Sequence, residues 1–116
     1  MEQLGNIKLY NADCLEIMKT FSDKYFELAI VDPPYGLNRG GGKMGGDCLA
    51  RNKNYKVFAG NDAQSPDKEY FDELIRVSKN QIIWGANHFI SNIPYNSSCW
   101  IVWDKNNGNN YFADCE

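Results

Sequence analysis

The chain has 116 residues, 43% of them hydrophobic and 23% charged, with a net charge of -3. That is the composition of one ordinary globular domain, and it excludes wholesale disorder and a chain that coats nucleic acid by bulk charge. No apolar run approaches the ~20 residues of a membrane span and no basic-then-apolar leader opens the chain, so a cytoplasmic location is expected.

Ile7 to Asn11 alternate weakly and predict a short strand. Leu15, Ile17, Met18 and Phe21, spaced among Glu16, Lys19 and Thr20, predict a short amphipathic helix. Asp13 stands at its N-cap, where a carboxylate accepts from an unpaired amide of the first turn. Phe26 to Val31 form an apolar run broken only by Glu27. Bounded by a proline turn, the run predicts a strand buried on both faces, as in a parallel sheet. It stops at Asp32-Pro33-Pro34-Tyr35.

Residues 36–64 follow no helical or strand period. Seven of the ten glycines fall in 36–60, among them Gly40-Gly41-Gly42 and Gly45-Gly46. The same stretch carries Arg39, Lys43, Arg51, Lys53 and Lys56 against the single acid Asp47, so it is +4 on a remainder that is -7. A long structureless segment inside a domain is usually functional or disordered, and a basic island on an acidic body suits a local phosphate-binding surface. A solvated loop is the plainer alternative.

Ser65-Pro66 reads as a helix start, with serine capping and proline in the first turn, and Tyr70, Phe71, Leu74, Ile75 and Val77 give that helix an apolar face ending near Ser78. Gln81 to Trp84 predict a second buried strand, closed by Gly85. A short helical piece is expected around 87–93, and Trp100-Ile101-Val102-Trp103 a third buried strand. This order predicts an α/β domain with a mainly parallel sheet. Cys14, Cys48, Cys99 and Cys115 form no C-x-x-C pair, and with His88 the single histidine no zinc set is spelled out, so no metal is expected.

In open α/β sheets ligands collect at the carboxyl ends of the strands, which brings forward Asp13, the Asp32–Tyr35 turn and the Trp84–Asn87 turn. Two consecutive prolines fix φ and cannot donate from nitrogen, so the backbone carbonyls around them act as acceptors. A carboxylate beside such carbonyls suits the two hydrogens of an amino group, and the tyrosine that follows offers a flat plate for a planar base. A stiff turn ending a strand is the plainer reading of the same four residues. His88 reads as structural, and Trp84, Trp100 and Trp103 as core in preference to pocket wall.

Asp32-Pro33-Pro34-Tyr35, preceded by Glu27 to Val31, resembles the D-P-P-Y motif of S-adenosylmethionine-dependent DNA amino-methyltransferases. Asn11-Ala12-Asp13-Cys14-Leu15-Glu16 resembles the segment that opens their permuted members, in which the catalytic motif precedes the cofactor glycines. Ile82 to Asn87 and Trp100 to Lys105 are similar to later strands of that subgroup. The resemblance implies an incomplete Rossmann-like fold, a methyl transfer from S-adenosylmethionine to the exocyclic amine of a flipped base, and double-stranded DNA as partner. Adenine N6 is favoured over cytosine N4 because aspartate leads the motif.

It further implies that Asp32 and the Pro33 carbonyl accept the two amine hydrogens, Pro34 stiffens the turn and Tyr35 stacks on the base. Asp13 and the backbone of Cys14 would meet the adenine edge of the cofactor, with Asp32 at its methyl end, and the five basic residues of the loop would contact phosphates. The subgroup's F-x-G-x-G turn has no counterpart in these 116 residues, so the chain is expected to be one partial domain, the N-terminal catalytic portion. Two other readings are a non-catalytic nucleic-acid-binding or interaction remnant of the fold, and an amino-methyltransferase acting on RNA or protein.

Overall fold

The computed structural model describes residues 1–36 and 63–106. Its elements are β1 (Glu2–Leu4), β2 (Ile7–Leu9), α1 (Cys14–Met18), β3 (Phe26–Val31), α2 (Lys68–Val77) and β4 (Ser78–Ile83), followed by a short 3-10 turn at Ala86–His88. Helix and strand alternate as in an α/β chain, and β3 and β4 pair in parallel, with Ala29 opposite Gln81 and Val31 opposite Ile83. A parallel pair cannot be joined by a tight hairpin, and here the crossover contains α2.

The expected mainly parallel sheet needs correction in three places. The strand at Ile7 does not join β3: it folds back on β1 as an antiparallel hairpin, with Leu4 opposite Ile7 and Gly5-Asn6 between them. A two-residue turn makes that local pairing easy, whereas joining a distant strand needs a closed loop. Second, β3 is not buried on both faces. Leu28 and Ile30 remain 47% and 62% exposed, because α2 covers only the other face. Third, Trp100 to Trp103 form no strand, and all four side chains are more than half exposed.

The core sits between α2 and the covered face of the parallel pair. Phe71, Leu74 and Phe89 form its centre, with Ala29, Val31, Ile83 and Met18 packed around them. The α2 apolar face reads as the sequence predicts: Phe71, Leu74 and Val77 are buried. Its start differs, because Asp67 is the N-cap, its carboxylate accepting from the Tyr70 amide, and Ser65 and Pro66 lie just outside. At the other end Lys24, whose φ is +55°, donates its backbone N–H to the Arg76 carbonyl and its ammonium to those of Ile75 and Ser78. Those are the carbonyls a helix C-terminus leaves unpaired.

Arg76 fastens α2 to the end of α1. Its guanidinium donates to the Met18 and Phe21 carbonyls, to Asp23 and to both oxygens of Glu73. The hydrogen bonds from Arg76 hold the Glu73 carboxyl below its ordinary range. A carboxylate depressed in the folded state stabilises the fold above its ordinary pKa and loses that contribution as pH falls through the folded value. Glu73→Gln is therefore expected to flatten the acid limb of the stability curve below about pH 4. Urea midpoints measured across that range check it, and an unchanged acid limb would remove this pair from the account.

Asp13 caps α1 as expected: the Leu15 and Glu16 amides donate to its Oδ1 at 2.9 and 3.2 Å. Asp13→Ala is expected to cost about 1 kcal/mol, the usual worth of such a cap. Asp13→Asn should recover most of it, and thermal melts of the two variants decide the matter.

Candidate functional site

The site lies at the carboxyl ends of the two parallel strands. There β3 runs into Asp32-Pro33-Pro34-Tyr35 and β4 into Trp84-Gly85, and the Trp84 amide donates to the Val31 carbonyl at 2.9 Å, locking the two turns together. Pro33 is buried and Asp32 exposed, so the proline anchors the turn while the carboxylate faces outward.

Tyr35 curls back over this turn. Its hydroxyl donates to Asp32 Oδ1 at 2.8 Å, and its ring stacks on His88 with centroids 4.7 Å apart and planes 15° apart. Gly85 makes the seat. Its φ is +62°, and a Cβ placed there would lie 2.4 Å from the Tyr35 ring. Both facts require glycine: one because side chains rarely take that backbone conformation, the other because the ring occupies the space. Phe89, fully buried, borders both rings, its centre 5.9 Å from that of Tyr35 and 6.3 Å from that of His88.

Beside Asp32 opens a recess of about 320 Å³ lined by Ile30, Val31, Asp32, Trp84 and Trp103. The two indoles meet edge to face at 5.7 Å. Trp84 and Trp103 are 37% and 53% exposed, so they are pocket wall, and the expectation that they belong to the core is corrected. They are exposed because the helix layer lies on the opposite face of the strands.

A second, larger cleft of about 700 Å³ runs along β3, and Cys14, Ala12, Ile17, Phe26, Val31 and Tyr70 are among its walls. Ile30 and Val31 line both spaces, so the cleft beside Cys14 and the recess beside Asp32 share the end of β3. Burial, and secondarily the nearby Cys14, push the Tyr70 phenol up to about 12, which keeps it a neutral wall. Asp13, also expected at the cofactor, does not line this cleft, and its Oδ1 is engaged in capping α1.

Arg39, Lys43, Arg51, Lys53 and Lys56 lie outside the described residues, as does most of the expected 36–64 loop. The points where that segment leaves and rejoins the described chain do bear on the site. Gly36 follows Tyr35 directly and packs on Ser65, where an added Cβ would stand 3.0 Å from the Ser65 amide nitrogen. Both ends of the segment therefore root beside the Asp32 turn.

Sequence reasoning brought forward Asp32, Pro33 and Tyr35 and placed the Trp84–Asn87 turn on the ligand side, but it missed Gly85 as the seat of Tyr35 and read His88 only as structural. The signal was available in part: a glycine followed by a histidine three residues on, directly after a strand, at the end where ligands collect. Among the described residues no cluster of three or more metal-ligating side chains forms, and no helix is long and apolar enough to cross a membrane. No protein family, characterised protein or solved structure compared with this chain matches it.

Proposed function

We propose that the chain carries the catalytic portion of an S-adenosylmethionine-dependent DNA amino-methyltransferase with an incomplete Rossmann-like sheet, acting on the exocyclic amine of a flipped base, adenine N6 first. The observation that supports it best is the Asp32 carboxylate, held by the Tyr35 hydroxyl at the carboxyl end of a parallel strand pair and facing an aromatic recess. A fixed acceptor beside flat apolar walls is what an amino-bearing base needs. The resemblance at Asp32 to Tyr35 and at Asn11 to Glu16 supplies the reaction.

The donor set fits one end of the cofactor. The cleft beside Cys14 has the size of a small-molecule site, and its apolar walls suit a planar ring. The backbone of Cys14 would hold the adenine edge there, and Asp32 would stand at the methyl end. When bound, S-adenosylmethionine supplies an electrophilic methyl group.

The chain's own residues position the amine. With Oδ1 taken by Tyr35, Asp32 Oδ2 accepts one amine hydrogen and the Pro33 carbonyl the other, which gathers the lone pair on nitrogen and orients it. Pro34 keeps that pair of acceptors rigid. Orientation of this kind is worth orders of magnitude in rate, and the reaction asks for no strong base. Extruding the base costs a few kcal/mol, which stacking on the aromatic walls of the site offsets.

Arg39, Lys43, Arg51, Lys53 and Lys56 would contact the DNA phosphates, and their segment is rooted at Gly36 and Ser65 beside the turn. Replacing Lys53 and Lys56 together by alanine is expected to weaken duplex binding and lower the slope of log affinity against log salt by up to about 2. Titrations at several salt concentrations read this, and an identical slope would return both lysines to solvent. The reaction itself is tested by incubating the chain with methyl-labelled S-adenosylmethionine and duplexes containing or lacking adenine. Label in adenine N6 supports the proposal. Binding to duplex with no transfer to any base favours instead a non-catalytic remnant, a reading that the open apolar face at Leu28, Ile30 and Ile82 also suits.

A further inference from the structure

The stacking plate that the D-P-P-Y resemblance assigns to Tyr35 is already engaged. Its ring lies on the His88 imidazole, it is seated on Gly85 with no room for a Cβ, and its hydroxyl is committed to Asp32. Two other aromatic surfaces, the Trp84 and Trp103 indoles, are exposed and line with Asp32 a recess that Tyr35 does not line.

We infer that the planar ring of an amino-bearing heteroaromatic base is received by the Trp84–Trp103 recess, and that Tyr35, Gly85 and His88 are positioning residues for Asp32. This rests on the methyltransferase reading for the base being part of DNA, but not for the recess taking a base at all. Several features converge on it. The recess joins one acceptor-only polar group to two indoles that offer both a face and an edge, because they meet at 74°. Stacking on an aromatic plate is worth about 1–3 kcal/mol per base and tolerates any base, so the discrimination must come from the carboxylate.

Asp32 supplies it. A carboxylate accepts hydrogen bonds and cannot donate when ionised, so it favours a ring bearing an amino group over one bearing a carbonyl at that position. Tyr35 sharpens this by occupying Oδ1, which leaves Oδ2 as the acceptor with a fixed direction. The stack on His88 and the absent Cβ at Gly85 keep the tyrosine from swinging into the recess itself. The β3–β4 pairing brings both halves of the device to one carboxylate.

The test uses the whole chain, with adenosine and inosine as probes and the indole N–H resonances of the three tryptophans as readout. Trp100 is the internal control, since it is absent from the recess lining and its indole donates to the Ser97 carbonyl. Adenosine is expected to move the Trp84 and Trp103 signals and leave that of Trp100 in place, with inosine binding more weakly. Trp103→Ala should weaken adenosine binding about tenfold or more, the loss of one stacking plate. Asp32→Asn should erase the preference for adenosine over inosine. His88→Ala should reduce that preference and His88→Phe restore it, since a flat ring is what seats Tyr35.

The inference is overturned if adenosine leaves the Trp84 and Trp103 signals unmoved, as it would when bound only in the Cys14 cleft. It is overturned equally if Trp103→Ala binds as tightly as the parent, or if His88→Ala binds more tightly because the base takes the vacated face of Tyr35. Failure of the broader reading looks different. Adenosine held at the indoles with no label transferred to duplex DNA leaves the recess standing and removes the methyltransferase. Transfer by Trp103→Ala at the parent kcat/KM leaves the methyltransferase standing and removes the recess.

Discussion

Asp32→Ala is expected to lower methyl transfer to duplex adenine by at least about 100-fold, while duplex affinity and its salt dependence stay near those of the parent. Loss on that scale is what misplacing a reacting group costs. The two readouts separate because Asp32 is an exposed carboxylate at a strand end, and a negative charge there contributes nothing favourable to phosphate contacts. Removing it deletes the acceptor that orients the amine and leaves the basic residues of the neighbouring segment intact. Asp32→Asn tests the chemistry further. It keeps the shape and still accepts from the Tyr35 hydroxyl, but it presents an amide N–H to the incoming amine if its oxygen faces Tyr35. Tyr35→Phe belongs in the same series, with a smaller loss of about tenfold, the worth of one hydrogen bond to a charged group. Transfer that survives Asp32→Ala would remove this carboxylate from the reaction and with it the reading of the turn.

The parts of this molecule legible in the sequence were those set by local chemistry. Asp13 caps α1 because a carboxylate one residue before a helix is close to two unpaired amides, and the sequence states that plainly. The α2 stripe at Phe71, Leu74 and Val77 follows from helical spacing alone. The strand at 26–31 and its termination at the two prolines follow from an apolar run meeting residues that cannot continue a ladder. What misled was burial. An apolar run such as Phe26 to Val31 reports that its residues can be buried, not that a layer is present to bury them, and here one face meets α2 while the other stays open.

Trp100 to Trp103 mislead in the same way. Four large apolar residues in succession look like a central strand, yet strand character needs a neighbour to hydrogen-bond, and among the described residues this segment has no ladder. Among the described residues, Trp103 is the one member of the segment with an aromatic ring partner, edge to face on Trp84. The seat of Tyr35 was hidden for another reason. That Gly85 lies against a ring fifty residues earlier in the chain is a fact of the β3–β4 register, and no local pattern announces it.

The one-sided core makes its own prediction. Phe71→Ala is expected to cost about 3–5 kcal/mol, the usual loss for deleting a buried aromatic ring, against a total of roughly 5–15 kcal/mol for a domain. Phe71 has no exposed surface, and its ring meets Phe89 at 5.4 Å and Tyr70 at 5.1 Å. The surrounding structure has little means of closing the cavity, since α2 is fixed at one end by Asp67 and at the other by Lys24 and Arg76. Because Phe89 also borders Tyr35, the damage should reach the site, and the Tyr35–His88 stack should loosen along with the melt. Leu28→Ala is the control on the open face, where the side chain is 47% exposed and the expected cost is within about 0.5 kcal/mol. Urea unfolding of both variants reads the difference directly. Equal losses would mean that the face carrying Leu28 and Ile30 is covered in solution, and the layer that covers it would then have to be found.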